Sequence, residues 1–302
     1  MWKTTKTVLC GMMATALCAG AAFAAEKNKV YLITMDQMDQ HWVNMDKGAK
    51  EAVAKAGNLD YVWMAPDIKD DAKQIEIVNN AVAAGAKAIL VAANGPTAIS
   101  MALKEADEAG VKIIYVDSPA EFPGIATFTT NNMAAGKSGG EEMLKALQAK
   151  GITSGKIGII NVNSATQSVV DRENGFREAF KDTSFEILPT QYSEGDVARS
   201  RDIAANYITQ GVVGIFGTNE GTTTGTGNAI QEDGNKIIGV GFDNSDSIRN
   251  LIKKGSLIAA VTQNPADMGR MGIECAAAVL GAGYTGEKVV DTGVKLIRKE
   301  DL

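Results

Sequence analysis

Polar side chains follow apolar runs at matching places in two parts of the 302-residue chain. Asn94 and Asp117 follow two successive runs, and Asn219 and Asp243 repeat that order further along. The two separations are 23 and 24 positions. Because open parallel sheets bind ligands beyond the carboxyl ends of their strands, this repeat predicts two similar lobes that face one cleft.

The loop after the first apolar run adds acids and aromatic rings. Residues 35–48 include Asp36, Asp39, His41 and Trp42. Carboxylate oxygens accept hydrogen bonds from hydroxyls, and a flat ring packs against CH groups, so this composition suits a sugar. Trp42 could instead anchor the following helix in the core, but its polar neighbours favour the cleft.

Arg172 is the cation that we expect in the cleft of the second lobe. It lies in DRENGF, residues 171–176, which we place on the first turn of a helix. A cation there is mildly unfavourable to the helix dipole, and a guanidinium directed at a ligand explains its presence. The alternative is an ordinary exposed cation, such as Arg177.

The residues argue against catalysis and against a bound cofactor or metal. His41 is the single histidine, and the sequence has no GxSxG, HExxH or paired cysteine ligands. AGKSGG, residues 135–140, lacks a phosphate loop's first glycine, since Asn131 stands there. Residues 217–227 contain no GxGxxG. We expect no enzyme, although paired acids leave a secreted glycosidase as an alternative.

The amino terminus resembles a secretion signal. Lys3 and Lys6 precede an apolar stretch at 8–22, and Ala22-Phe23-Ala24 is a small-x-small cleavage pattern. We therefore predict a signal peptide at residues 1–24, cleaved after Ala24, and a periplasmic protein; the stretch is short for a membrane anchor. Loss of the two lysines would change the formal charge from -6 to -8, which argues against nucleic acid. Cys275 would be the one remaining cysteine, buried as a small hydrophobe.

Short apolar runs alternate with amphipathic segments along the mature chain, which predicts an α/β fold with parallel sheets covered on both faces. The predicted strands are 30–34, 61–65, 88–92, 112–116, 125–129, 156–162, 185–191, 211–216, 236–241, 256–262 and 293–297. Predicted helices include 44–56, 72–84, 96–109, 134–149, 168–180, 198–209 and 265–280.

No Ser-, Gly- or Pro-rich linker divides the two parts. The polar stretch 127–132 resembles a crossover, and too few strands follow Gln263 to build a third domain. We therefore expect the chain to cross between the lobes more than once, which makes a hinge of short segments.

Several motifs together resemble the type I periplasmic sugar-binding proteins, the ribose-binding group of ABC transporter receptors. They are GAKEA, YVDS, DRENGF, TNEG, VGFDNS and VTQNPADMG, and the resemblance covers essentially the whole mature chain. It implies two Rossmann-like lobes joined by three crossovers. It also implies one small sugar in the cleft and a closed form that is presented to a membrane permease.

The resemblance also implies lobe boundaries and roles for particular residues. The first lobe would comprise 25–130 plus 264–291, and the second 131–263 plus 292–302. The family's aromatic platform falls on His41 and Trp42, and its hinge glutamine on Gln263. With the residues above, the expected ligand-binding set is Asp36, Asp39, His41, Trp42, Asn94, Asp117, Ser118, Arg172, Asn219, Asp243 and Gln263.

Departures from the ribose-binding pattern leave the ligand open. Ser118 stands where that pattern has an arginine, Ala92 replaces an asparagine although Asn94 is close, and Gly195 stands where an aromatic residue is frequent. Pentose, hexose, polyol and inositol all remain candidates. We expect a monomeric receptor that delivers such a ligand to an ABC permease. A sensory coreceptor is the alternative, while a repressor core would need a helix-turn-helix where the secretion signal lies.

Overall fold

The computed structural model describes residues 1–2 and 27–302. The predicted signal peptide therefore falls almost entirely outside the described residues. No helix in the described part of the chain is long and apolar enough to cross a membrane.

Strands and helices alternate along the described chain, as predicted. The strands are β1 Asn28–Ile33, β2 Leu59–Met64, β3 Ala88–Val91, β4 Lys112–Val116, β5 Thr127–Thr129, β6 Ser154–Asn161, β7 Ser184–Ile187, β8 Gln191–Tyr192, β9 Val212–Gly217, β10 Ile238–Phe242, β11 Ala259–Gln263, β12 Val289–Asp291 and β13 Val294–Arg298. The α-helices are α1 Gln40–Ala56, α2 Asp71–Ala83, α3 Pro96–Glu108, α4 Asn132–Ala149, α5 Gln167–Phe180, α6 Val197–Thr209, α7 Glu220–Glu232, α8 Asp246–Lys253 and α9 Pro265–Val279.

The strands form two sheets, one for each lobe. The first has the order β12-β5-β4-β3-β1-β2 and is parallel throughout. The second has the order β13-β11-β10-β9-β6-β7, with β8 beside β6 and the edge strand β13 antiparallel to β11. The predicted α/β fold with two lobes is confirmed.

Helices cover both faces of each sheet, which explains the continuous apolar strands. In the first lobe, α1 and α9 pack on one face and α2 and α3 on the other. In the second lobe, α4 and α5 cover one face, and α6 and α7 the other. All four residues of β3 are buried, as this sandwich requires.

Two short strands correct the prediction from the sequence. The predicted strand 185–191 is wrong as one unit, because it is divided into β7 and β8 around Pro189, which has no amide hydrogen to donate to a sheet. The strand β12 was missed, since Val289 and Asp291 are exposed and only Val290 is partly buried. A strand so short and open has no apolar run that marks it.

Three chain segments connect the sheets and contact one another. They follow β5, β11 and β12. Thr130 Oγ1 donates to Gln263 Oε1 at 3.0 Å, Asn264 Nδ2 donates to the carbonyl of Gly293 at 3.3 Å, and Thr292 Oγ1 donates to the carbonyl of Thr129 at 3.0 Å. The expected hinge therefore consists of three connecting segments that are hydrogen-bonded to one another. The residue boundaries of the lobes stay a prediction.

Candidate functional site

Equivalent turns in the two lobes deliver two carboxylates to the cleft. Asp117 follows β4 and Asp243 follows β10, and both have left-handed backbones, with φ of 61° and 75°. Each donates its amide to the neighbouring strand, Asp117 to Phe128 and Asp243 to Val261, both at 2.8 Å. Aspartate tolerates this conformation better than most residues do. The repeat found in the sequence is thus a structural repeat.

His41 lies between these two carboxylates. Its Nε2 is 3.0 Å from Asp117 Oδ2 and its Nδ1 is 3.6 Å from Asp243 Oδ1, so the ring spans the cleft. The Nε2 contact is an ion pair in distance, but its direction is poor for a hydrogen bond. Burial opposes a charge on the ring, yet the two carboxylates outweigh it and raise the pKa of His41 to about 10. The same pairing lowers the pKa of Asp117 to about 2, against its burial.

Arg172 is buried in the second lobe, 2% exposed, which excludes the alternative of a surface cation. Its Nε donates to Asn132 Oδ1 at 2.8 Å, its Nη1 donates to the carbonyl of Thr218 at 2.9 Å, and its Cζ lies 4.4 Å from the centre of the Phe242 ring. Nη2 is buried and has no partner among the described residues. The expected first-turn position is wrong, because α5 begins at Gln167 and Arg172 lies in its second turn.

Amide side chains complete the polar wall. Gln263 Nε2 donates to Asp243 Oδ1 at 2.7 Å and so links the hinge to the carboxylate. Asn219 caps the amino terminus of α7, where its Oδ1 accepts from the amide of Thr222 at 3.0 Å. Its Nδ2 lies 3.4 Å from Asp39 Oδ2 in the other lobe. Both amides therefore hold carboxylates in place.

Eight of the eleven predicted site residues line one inner pocket between the lobes. They are Asp39, His41, Trp42, Asp117, Arg172, Asn219, Asp243 and Gln263. The space among its lining atoms is about 360 Å³, part of it open to solvent. Six further lining residues were missed in the sequence, namely Met35, Lys69, Val162, Thr166, Ser168 and Val169.

Three predicted residues lie beside the inner pocket. Asp36 accepts from Trp42 Nε1 at 3.1 Å and from the amides of Met38 and Asp39, so it holds the loop after β1. Ser118 Oγ lies 2.7 Å from both Asp117 Oδ1 and Ser168 Oγ.

Asn94, the third of these residues, donates to Asp71 and lines a separate outer cavity. Its position beside β3 is as predicted, but the side chain turns toward α2. It does not contribute to the wall of the inner pocket.

Trp42 combines the two roles considered for it. Its ring is 4% exposed, packs in the core of the first lobe and lines the inner pocket. It also meets the His41 ring edge-to-face, with centroids 4.6 Å apart. The choice between core and cleft was therefore not exclusive.

Lys69 is the most informative residue that the sequence did not reveal. It follows β2, and 8% of its side-chain surface is exposed. The ammonium pairs with Asp36 and, at 3.1 Å, with Asp39. It lies in the sequence PDIKDD, residues 66–71, which is typical of a solvated loop. Nothing in that spacing marks a buried cation.

Comparison with known proteins identifies the family to which this fold belongs. Residues 30–285 match the family model described as the periplasmic binding protein domain. The chain belongs to this family. The resemblance found in the motifs is thereby confirmed for most of the chain.

Individual relatives are similar over nearly their whole length. The D-allose-binding periplasmic protein of Escherichia coli is 26% identical, over 87% of this chain and 88% of the relative. A ribose import binding protein of Haemophilus influenzae is 25% identical, over 94% and 93%. A carbohydrate solute-binding protein of Agrobacterium radiobacter in complex with D-arabinose has a TM-score of 0.87 and 28% identity, over 92% and 96%. One of Agrobacterium vitis with bound D-fucose has a TM-score of 0.85 and 28% identity, over 91% and 96%.

Proposed function

We propose that this protein is a periplasmic receptor that binds one small neutral sugar or polyol between its lobes and delivers it to an ABC permease. The observation that carries the proposal is the inner pocket, where His41 and Asp117 of the first lobe meet Arg172 and Asp243 of the second. The relatives named for D-allose and ribose support the ligand class.

The polar groups of the pocket match a hydroxyl-rich molecule. Carboxylates such as Asp117 and Asp243 only accept hydrogen bonds, whereas Arg172 Nη2 only donates. A sugar hydroxyl does both, so one ligand can satisfy both kinds of group. An apolar ligand would leave Nη2 of the buried Arg172 unpaired, which costs about 1–3 kcal/mol for a neutral group and more for a charged one.

The charges of the pocket favour a neutral ligand. Its lining contains three carboxylates, Asp39, Asp117 and Asp243, and three cationic side chains, His41, Lys69 and Arg172. With His41 protonated, the charges of the lining itself balance, and Asp36, which shares Lys69 with Asp39, adds one more negative charge behind the lining. A sugar acid would add a further negative charge that the walls do not offset.

Binding by hinge closure follows from the distribution of the contacts. The Thr166 hydroxyl donates to the carbonyl of Asn94 at 2.6 Å, and the amide of His41 donates to Glu220 Oε2 at 3.1 Å, both between lobes. These bonds form only when the lobes are closed. A ligand that contacts both lobes likewise makes its full set of contacts only in the closed form, so it shifts the equilibrium between open and closed forms toward closure. Closure would be the signal that the permease recognises.

Further parts of this proposal concern the compartment and the partners. We propose cleavage after Ala24, function as a monomer, and release of the ligand chemically unchanged. Supporting the last point, the lining acids are paired with cations, and Asp117 has a pKa near 2, far from that of a general acid at neutral pH.

Calorimetry and thermal shifts test the proposal on ligand-stripped protein. We expect one or a few of the pentoses, hexoses, polyols and inositols to raise the melting temperature, since binding to the folded state alone must do so. Asp243→Asn and Arg172→Met should weaken that binding by about 2–5 kcal/mol. Arg177→Met, on the surface of the same helix, is the matched control and should bind normally.

Two results would count against the receptor proposal. If no sugar or polyol raises the melting temperature, the proposed ligand class is wrong. If Asp243→Asn binds the ligand as tightly as wild type, the assignment of the inner pocket as the binding site is wrong. Mass spectrometry of the recovered ligand checks the absence of turnover, because an enzyme would return a changed molecule.

A further inference from the structure

Lys69 brings a buried ammonium to the inner pocket from outside the motifs that predicted the site. The side chain is 8% exposed and lines the pocket beside Asp39 and Asn219. Burial works against the charge, but Asp39 and Asp36 outweigh it and hold the pKa of Lys69 above its ordinary value. The residue is therefore a permanent cation at one end of the pocket.

The ammonium has more hydrogens than protein acceptors. Among the described residues its close partners are the carboxylates of Asp36 and Asp39. An ammonium has three hydrogens, so one remains for an acceptor outside the protein. Asp36 is itself fixed by Trp42 and by two backbone amides, which fixes the position of Lys69 as well.

The second lobe leaves space for this ammonium. Gly195 has φ of 74°, and a Cβ there would lie 3.2 Å from Lys69 Nζ and 3.2 Å from Asn219 Nδ2. A larger residue would crowd both groups. The position of the Lys69 ammonium therefore depends on the absence of a side chain at Gly195.

We propose that Lys69 is a specificity-determining residue, which donates its remaining hydrogen to one oxygen of the bound sugar and selects against ligands that lack an acceptor there. This inference rests on the proposed function. It gives the pocket a direction, because the end near Lys69 requires an acceptor on the ligand while Asp117 and Asp243 require donors.

Discrimination by such a donor is stronger than discrimination by shape. A site built to hydrogen-bond one ligand oxygen is left with an unpaired buried group when that oxygen is missing. If Lys69 only neutralised Asp36 and Asp39, its removal would weaken all ligands by a similar factor. The two roles therefore differ in the ratio between ligands and not in the affinity for one of them.

The test is a comparison of wild type with Lys69→Met and with the double variant Asp36→Asn/Lys69→Met, in which Asp36 no longer needs a counter-ion. The parent sugar is whichever of D-allose, D-ribose, D-arabinose and D-fucose binds wild type most tightly. Calorimetry then measures the affinity of each protein for this sugar, for its monodeoxy analogues and for its carbocyclic analogue. Together the analogues remove each oxygen in turn. Lys73→Met is the matched control, an exposed lysine four positions away.

Wild type and Lys73→Met should bind one of the analogues about tenfold or more weakly than they bind the parent sugar. The Lys69 variants should bind that analogue and the parent sugar with affinities that differ by less than about threefold. Equal losses in all proteins would overturn the role of Lys69 and leave the receptor intact. If wild type binds none of the four sugars, the comparison uses the tightest binder among the wider set of pentoses, hexoses, polyols and inositols. Absence of binding across that set would overturn the inference together with the ligand class. Should both Lys69 variants unfold, Lys69→Arg must change the ratios, and unchanged ratios would overturn the proposal.

Discussion

At the scale of single residues, His41 acts as an internal cation that joins the lobes. Its ring lies between Asp117 and Asp243, 3.0 Å and 3.6 Å away, and Glu220 accepts from its amide. Without the ring's charge, Asp117 and Asp243 would repel each other across the closed cleft. The histidine thus offsets a repulsion that the binding site itself creates.

The first prediction concerns the pH dependence of stability. The folded pKa of His41, about 10, lies above its ordinary value of 6.5. Its contribution is therefore fully present below pH 6.5 and is lost as the pH rises through 10. Urea unfolding between pH 7 and pH 10.5 should show wild type losing on the order of 2 kcal/mol more than His41→Gln. Parallel curves for the two proteins would contradict the ion pair.

Sequence reasoning found the site residues that follow recognisable strand ends. Asp117 and Asp243 were found through their repeated spacing, and both line the pocket. Arg172 also lines the pocket, but the reason given for it was insufficient, because its burial and not a place in the first turn sets it apart. Lys69 could not be found, since Asp36 and Asp39 reach it from a loop 30 positions earlier. Such a pairing depends on tertiary structure.

At the scale of elements, close helix pairs position residues of the inner pocket. A Cβ on Gly136 of α4 would lie 2.0 Å from the carbonyl of Arg172 on α5, and one on Gly48 of α1 would lie 1.9 Å from the carbonyl of Ala266 on α9. The two lobes therefore use the same device, a glycine that lets one helix touch the backbone of another.

The second prediction is that Gly136→Ala disturbs both stability and binding. The added methyl must move α5 and with it Arg172, so the free energy of unfolding should fall by about 1–3 kcal/mol and sugar affinity should fall too. Denaturation and calorimetry measure the two effects. The exposed neighbour Lys137→Ala should change neither. Unchanged affinity in a destabilised Gly136→Ala would show that the helix contact does not position Arg172.

Glu220 links an element of one lobe to an element of the other. It begins α7, and its carboxylate accepts from the amide of His41 in the first turn of α1. Burial first, and then Asp39 and Asp243, raise the pKa of Glu220 to about 7. Part of that shift exists only when the lobes are closed, because Asp39 belongs to the opposite lobe.

The third prediction follows from this coupling. The pKa of Glu220 is higher in the closed form than in the open form, so closure takes up a proton. A lower pH therefore favours closure, and this effect grows as the pH falls from 8 to 5.5. Sugar affinity should rise roughly threefold to tenfold over that interval, after allowance for solvent screening. Calorimetry of Glu220→Gln should show a flatter profile. An equally steep profile in the variant would assign the effect to another group.

Most elements could be predicted because burial on both faces leaves an apolar run in the sequence. The four residues of β3 are all buried and were placed to within one residue. The strand β12 lies at the edge of its sheet and buries little, so no apolar run marks it. Pro189 could have indicated the break between β7 and β8, since proline rarely continues a strand.

At the scale of the whole molecule, the hinge is held by contacts between its three segments. Asp291 Oδ1 accepts from the amide of Asn131 at 3.0 Å and from that of Gly293 at 2.9 Å. Together with the bonds of Thr130, Thr292 and Asn264, this restricts the lobes to motion about one short region.

The fourth prediction is that Asp291→Ala weakens binding without touching the pocket. A looser hinge gives the open protein more orientations, so closure costs more entropy. We expect a loss of about threefold in affinity and a larger radius of gyration for the sugar-free protein in X-ray scattering. Asp60→Ala, at another exposed position in the first lobe, is the control. A variant with wild-type scattering and affinity would show that Asp291 does not restrain the hinge.

The three crossings also determine when the protein can fold as it is synthesised. A nascent chain that ends at residue 263 lacks α9 and β12, which cover α1 and extend the first sheet, and it lacks β13 at the edge of the second. Domains ordinarily fold in the order in which the ribosome makes them. Here neither lobe is complete until residues 264–302 have emerged. We therefore expect the growing chain to stay incompletely folded for most of its synthesis, which would suit the export across a membrane that we propose for it.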